Sequence, residues 1–326
     1  MRLQRIDAFR VYSILLIMFA HAQYFSAIDF SLPFTRAFSV IIIGIARPTI
    51  QFFFIASGFF LGGKILDDPQ QAIPLAWKYT RRLLVVFLFW SIIYALVQPN
   101  EFLLLLEKDP VRLIFEGPKL HLWYLPSLIL AIWLFALWPF DRKSWSFLAF
   151  GTVLFLVGLM GGAYRLTDIG VNLHFNTRDA AFFGTVFFGI GAYIHQKQPR
   201  VSKAAAVGIY LLGMAMYALE SWYLWAQYNM DPIRNDYVLG SIPYGIGFFL
   251  LAYTFTANRL DRFAAKFAPY VLGIYVGHML ILDWLLKPLH KSFHPILWQL
   301  GLPFVLFVLS LGAVYLISKT PLKRVI

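Results

Sequence analysis

Two ionisable residues, Arg10 and His21, sit eleven positions apart in the otherwise apolar stretch RVYSILLIMFAH. A helix turns about 100° per residue, so eleven steps come within about 20° of three full turns. Both side chains therefore share one stripe, about 16 Å apart along the axis. Asp7 precedes Arg10 by three residues and can pair with it on the same face. An imidazole deep in an apolar run is costly to bury and typically lines a cavity or pathway, where it can take up or hold a proton. Two readings of this stripe stand side by side. Arg10 snorkels to the membrane surface and His21 bonds a neighbouring helix, or the two mark one wall of a functional cavity.

Further residues of this kind recur along the chain. Arg47 falls about ten residues into the second apolar run and precedes Pro48, which kinks a helix and frees a backbone carbonyl. Its competing roles are a structural pair and a cation facing a reaction centre. His278, within GIYVGHM, lies as deep in the ninth run, where a helix–helix hydrogen bond competes with a site role. Ser57 and Gly58 favour close helix packing, and no Gly-x-Ser-x-Gly elbow surrounds the serine to make it a nucleophile. His121, Trp123 and Tyr124 open the fourth run as interfacial aromatics or as a platform for a sugar ring. Arg81 and Arg82, with Lys78, open the third run, where topology alone explains a basic cluster and paired guanidinium forks also suit phosphate. His290 and His294 have i, i+4 spacing, but Pro288 and Pro295 flank them and no glutamate completes a metal motif, so no metal is expected. Cysteine is absent, which excludes thiolate nucleophiles, disulfides and cysteine metal sites.

The elements that must carry these side chains are membrane helices. Hydrophobic residues make up 60% of the chain and charged residues 13%, about half the charge of a soluble domain. Apolar runs near 8–26, 38–62, 80–98, 121–139, 145–162, 179–196, 203–226, 238–257, 268–286 and 297–318 match about ten transmembrane helices in an all-α integral membrane fold. The segment 100–117 is too charged to span and reads as interfacial or re-entrant. Residues 1–326 form a single membrane domain with no internal repeat. Most of the 28 basic residues, among them Arg2, Arg5, Lys64, Arg142, Lys143, Arg200, Arg262 and Lys323, fall on one side if both termini are cytoplasmic. The net charge of +12 is thus a topology signal scattered over short loops, and no nucleic-acid partner is expected. Ala20-His21-Ala22 mimics a signal-peptidase site, but Asp7 and Arg10 crowd the charged region and Tyr24 and Phe25 prolong the run, so the first helix is expected to stay.

In this setting the chain resembles the acyltransferase-three family, integral-membrane enzymes that acylate extracytoplasmic glycans. The resemblance rests on Arg10-x10-His21, on RPTIQFFFIASGFFL at 47–61, on Arg81-Arg82, and on HLWYL at 121–125 and GIYVGHMLI at 273–281, all in the family's order. The region 140–265 offers little to match. Many relatives carry an extra extracytoplasmic hydrolase-like domain after the membrane unit, and its contribution to acceptor handling is expected here to be absent or supplied by a partner.

The resemblance implies O-acetyl transfer from cytoplasmic acetyl-coenzyme A to a hydroxyl of a glycan or lipid-linked sugar, in a bacterial inner membrane. His21 would be the base, with an acyl-histidine relay as the variant, and Arg47 would stabilise the oxyanion. Arg10, Arg81 and Arg82 would hold the donor's phosphates. His121, Trp123, Tyr124, His278 and Ser57 remain for the acceptor. No carboxylate lies close to His21 in sequence, so its orienting group must come from another helix. A transporter or flippase using Arg10, Arg47, His21 and His278 as a pathway is the rival, as is an inactive scaffold.

Overall fold

A computed structural model describes residues 4–25, 33–139, 144–173, 176–179, 181–233, 235 and 237–326. Of the topology-bearing charges, Arg2, Arg142 and Lys143 lie outside the described residues. The helices are α1 (Gln4–Phe25), α2 (Pro33–Ala46), α3 (Pro48–Ser57), α4 (Gly63–Asp67), α5 (Ala72–Val97), α6 (Pro99–Lys108), α7 (Pro110–Phe115) and α8 (Tyr124–Ala136). They continue as α9 (Ser144–Gly161), α10 (Ala181–Lys197), α11 (Lys203–Tyr228), α12 (Ser241–Thr254), α13 (Arg259–Ala264), α14 (Val271–Ile281) and α15 (Pro295–Ser318). No strand occurs among the described residues.

Local chemistry sets the breaks. Proline at the first helical position opens α3, α6, α7 and α15, where its missing N–H costs nothing. Ser202 caps α11 by accepting from the Ala205 N–H, and Asn229 in the left-handed region ends it. Asn258 and Asp261 form a reciprocal capping box on α13. Asp261 also accepts from Tyr12 at 3.0 Å and Arg5 at 3.2 Å, tying the start of α1 to α13.

Each of the ten apolar runs contains a helix among its described residues. Five continuous stretches are long and apolar enough to cross a membrane: Phe34–Asp67, Pro69–Val97, Lys203–Tyr228, Arg259–Ser292 and Pro295–Ser318. The first of these is α2 to α4, bent at Arg47 and joined by a π-helical turn over Gly58–Gly62. The remaining runs are shorter or more charged. α1 carries Arg5, Asp7 and Arg10, and α10 has 17 residues. The segment 100–117 forms the short α6 and α7, whose leucine and isoleucine side chains are largely exposed.

Helices α3 and α10 pack backbone to backbone. A Cβ on Gly58 would collide with the Phe188 carbonyl, and one on Gly191 with the Ile55 carbonyl, so each glycine admits the partner helix. This contact holds the bent second segment against the bundle. α1 runs through the middle, touching α2, α3 and α12 to α15. It thereby brings His21 against elements from both ends of the chain.

Candidate functional site

His21 lies in the last two turns of α1, half-buried, and Ile17 one turn earlier shares its cavity-facing side. Its Nδ1 stands 2.7 Å from Nε2 of the fully buried His278 on α14. The neighbours of His278 assign the tautomers. Its Nδ1 faces the backbone carbonyls of Tyr275 at 2.7 Å and Ile274 at 3.2 Å, which can only accept, so Nδ1 carries the proton. Nε2 of neutral His278 is then an acceptor, and His21 Nδ1 must donate to it. The basic lone pair of His21 is left on Nε2.

A third ring completes the cluster. His121 is buried at the entry to α8, its centroid 5.0 Å from that of His278 and 6.3 Å from that of His21. It donates from Nε2 to the Val276 carbonyl at 3.3 Å, leaving Nδ1 as an acceptor with no partner. The Tyr275 hydroxyl donates to the His121 carbonyl and locks the α8 entry to α14. Every His278 nitrogen is committed within the protein, which spoils the trio as a ligand set. Among the described residues no His, Asp or Glu group is arranged to hold a metal ion.

Opposite these rings, Arg47 occupies the bend between α2 and α3. It donates from Nε to the Tyr217 hydroxyl at 2.9 Å and from Nη2 to the Ile233 carbonyl at 2.6 Å. These partners are neutral, and no carboxylate ion pair to Arg47 occurs among the described residues. Its full charge therefore remains to act on whatever enters, and it lies within electrostatic range of His21.

The two sides enclose a cavity of about 1570 Å³ whose wall includes His21, Arg47, Gln51, His121 and Trp123. The same wall carries acidic and basic residues in pairs. Arg112 donates from Nε to buried Glu116 at 2.6 Å, and Arg178 from Nε to buried Asp179 at 2.8 Å. The Arg178 guanidinium also lies 4.8 Å above the Trp123 ring. Asp179 lies in the loop before α10. Burial pushes its carboxyl up to about 8, against the pull of Arg178 and with help from the adjacent Glu116 carboxyl.

The sequence candidates divide by location. His21, Arg47, His121 and Trp123 meet in the cavity, and His278 supports it from behind. Arg10 is half-exposed and pairs with Asp7 at 3.6 Å, on the stripe that leads to His21. Arg81 and Arg82 are exposed on α5, away from the cavity wall. Tyr124 packs on Phe54, with ring centroids 4.8 Å apart, and bonds Ser57, so this pair joins α3 to α8 instead of lining the cavity. Sequence reasoning missed Gln51, Glu116, Arg178, Asp179 and Asn235. The Arg178-Asp179 doublet at the start of an apolar run was the one local signal for these residues.

A family model described as an acyltransferase domain matches residues 3–319. Two curated proteins of Enterococcus faecalis, both named amino-acid racemase, are similar to the chain. One is 28% identical over 228 residues, covering 65% of this chain and 31% of that protein. The other is 23% identical over 302 residues, covering 86% and 41%. The chain thus spans less than half the length of either relative. No solved structure matches it.

Proposed function

We propose, for a chain that belongs to the acyltransferase-three family of membrane acyltransferases, that it moves an acetyl group from acetyl-coenzyme A to a hydroxyl of an extracytoplasmic or lipid-linked glycan. The observation that carries the reading is the oriented imidazole: His21, its Nδ1 held against His278, lines a cavity that also holds Arg47, whose hydrogen-bond partners are neutral. His21 removes the acceptor hydroxyl proton as the oxygen attacks the thioester carbon. Arg47 stabilises the oxyanion of the tetrahedral intermediate. The C–S bond then breaks, and His21 returns the proton to the leaving sulfur, so no net proton is released. Arg10, Arg81 and Arg82 hold the donor's phosphates on the cytoplasmic side, consistent with the exposure of the latter two. Ten crossings with both termini cytoplasmic, in a bacterial inner membrane, would open the cavity outward.

The test is transfer of labelled acetyl from acetyl-coenzyme A to a panel of lipid-linked glycans by protein reconstituted in liposomes. Wild type is expected to label an acceptor and His21→Ala to lose about 10²–10⁴-fold in rate. Equal labelling by both proteins overturns the assignment of His21. The racemase name borne by both relatives favours a second reading, in which the membrane unit handles an amino acid. Uptake of labelled serine or alanine by the same liposomes without any acetylation would support that reading.

A further inference from the structure

Two tyrosine hydroxyls, one from α11 and one from α12, converge on the break between α2 and α3. Pro48 has no N–H, so the Gly44 carbonyl one turn before it loses its regular helical donor. That carbonyl accepts instead from the Arg47 N–H and from the Tyr244 hydroxyl, each at 3.3 Å. The Arg47 side chain is held as closely. The Tyr217 hydroxyl accepts from Nε at 2.9 Å, and the Ile233 carbonyl accepts from Nη2 at 2.6 Å. Tyr244 thus fixes the backbone of the break, and Tyr217 the guanidinium that leaves it.

Chemistry settles the direction of each bond. Arginine only donates, so the Tyr217 oxygen must accept from it. The one proton of that hydroxyl goes to the Asn235 carbonyl at 2.5 Å. A hydroxyl that donates in this way becomes a better acceptor, which strengthens its grip on Arg47. Nε and Nη2 form one edge of the planar guanidinium fork, and Tyr217 and Ile233 occupy that edge. No hydrogen bond engages Nη1 among the described residues, so that end is left to the cavity that Arg47 lines. A carboxylate in place of Tyr217 would hold the fork more tightly but would neutralise it. Hydroxyl and carbonyl dipoles orient the cation and leave its charge whole.

Neither tyrosine lines the cavity, so each can act there only through Arg47. Both are buried, with ring centroids 6.0 Å apart. α11 and α12 pack backbone to backbone around them. A Cβ on Gly213 would collide with the Tyr244 backbone, and one on Gly240 with the Tyr217 backbone. The connection between the two helices, which supplies both carbonyls, is fixed as well, because Asp231 accepts from the Ile233 N–H at 3.0 Å.

We propose that Tyr217 and Tyr244 are positioning residues for Arg47, through which the α11–α12 pair aims the guanidinium into the cavity. The catalytic purpose of that aim rests on the acyl-transfer reading, whereas the hold on Arg47 does not.

The hold is read without turnover, by NMR of arginine Nε–H groups in the full chain in nanodiscs. Wild type is expected to show an Arg47 Nε–H signal protected from solvent exchange, identified by its loss in Arg47→Met. Tyr217→Phe is expected to lower that protection by about tenfold or more. Tyr223→Phe, exposed on the same helix, is the control and should leave it in place. Acetyl transfer is then measured for the same proteins. Tyr217→Phe is expected to lower kcat by about tenfold with the KM for acetyl-coenzyme A unchanged. On the Arg47→Met background the same change should cost less than about twofold, because its route of action is already gone. Tyr244→Phe leaves Gly44 its bond from the Arg47 N–H and is expected to lower protection and kcat less than Tyr217→Phe does.

An unprotected Arg47 signal in wild type overturns the proposal whether or not the variants fold. Wild-type protection and rate in either tyrosine variant overturns the role of that tyrosine. Additive losses from Tyr217→Phe and Arg47→Met would make Tyr217 a packing residue and overturn its role as well. Protection as expected, with no acetyl transfer by wild type, would overturn the acyl-transfer reading alone.

Discussion

His21 Nδ1 and His278 Nε2 are 2.7 Å apart although 257 residues separate them in the chain. Because His278 spends its own proton on the Tyr275 carbonyl, it can receive only a donated N–H from His21. A carboxylate would fix the same tautomer of His21 but would add a negative charge to the membrane interior, which is expensive. A neutral histidine, pinned by the backbone of its own helix, gives orientation without that charge. His278 is thus a positioning residue for His21.

Replacing this partner tests the tautomer chain. His278→Leu is expected to lower kcat by at least about tenfold, because His21 can then carry its proton on either nitrogen. His278→Gln can present its amide oxygen where Nε2 stood and is expected to recover part of the loss. Both should leave the KM for acetyl-coenzyme A in place. Equal rates for Leu and Gln, or a loss confined to KM, would show that His278 only packs against the ring.

The stripe from Arg10 through Ile17 to His21 predicts a strong response to helix register. One extra leucine after Leu16 rotates His21 by about 100° while moving it only about 1.5 Å along the axis. The imidazole would leave both His278 and the cavity, although the hydrophobicity of α1 is unchanged. Acetyl transfer is expected to vanish while membrane insertion and yield persist. Normal transfer by an inserted, folded variant would mean that the spacing is incidental.

The backbone contact between α3 and α10 predicts a packing cost. A methyl group on residue 191 would meet the Ile55 carbonyl, so Gly191→Ala must push the helices apart. Overpacking of this kind costs about 1–3 kcal/mol. The midpoint of thermal unfolding in detergent is expected to fall relative to wild type. Gly208→Ala, where a Cβ meets nothing within 4 Å, serves as the control and should leave the midpoint in place.

Asp179 gives stability a defined pH dependence. Its carboxyl is raised from 3.8 to about 8 in the fold, mainly by burial, with Arg178 opposing and Glu116 adding to the rise. Below about pH 4 it is protonated in both the folded and unfolded chain. From there to about pH 8 only the folded chain keeps the proton, so the stability it contributes falls as pH rises through that window and levels off above it. Charged neighbours facing it are Arg178 and Glu116, the latter paired to Arg112. The unfolding midpoint of wild type is expected to drop from pH 5 to pH 8 more steeply than that of Asp179→Asn. Parallel slopes would assign the titration to another group.

The amino-acid sequence by itself determined the membrane class, the helical runs and the relations that live within one helix. Eleven residues place Arg10 and His21 on one stripe of α1 whatever surrounds it, and Pro48 breaks the second segment at Arg47 whatever it faces. Helical period and proline geometry are local, and they are therefore legible in a short window. Tertiary structure alone decided that His278 orients His21, that Arg47 bonds Tyr217 and Ile233, and that Glu116 lies beside Asp179 in the cavity wall. It also set Arg81 and Arg82 apart from the cavity and turned Ser57 toward Tyr124. Each of these depends on the depth and rotation at which helices distant in sequence pack. A single step of register turns a side chain through 100°, so composition and spacing along one chain carry no trace of which neighbour it finds.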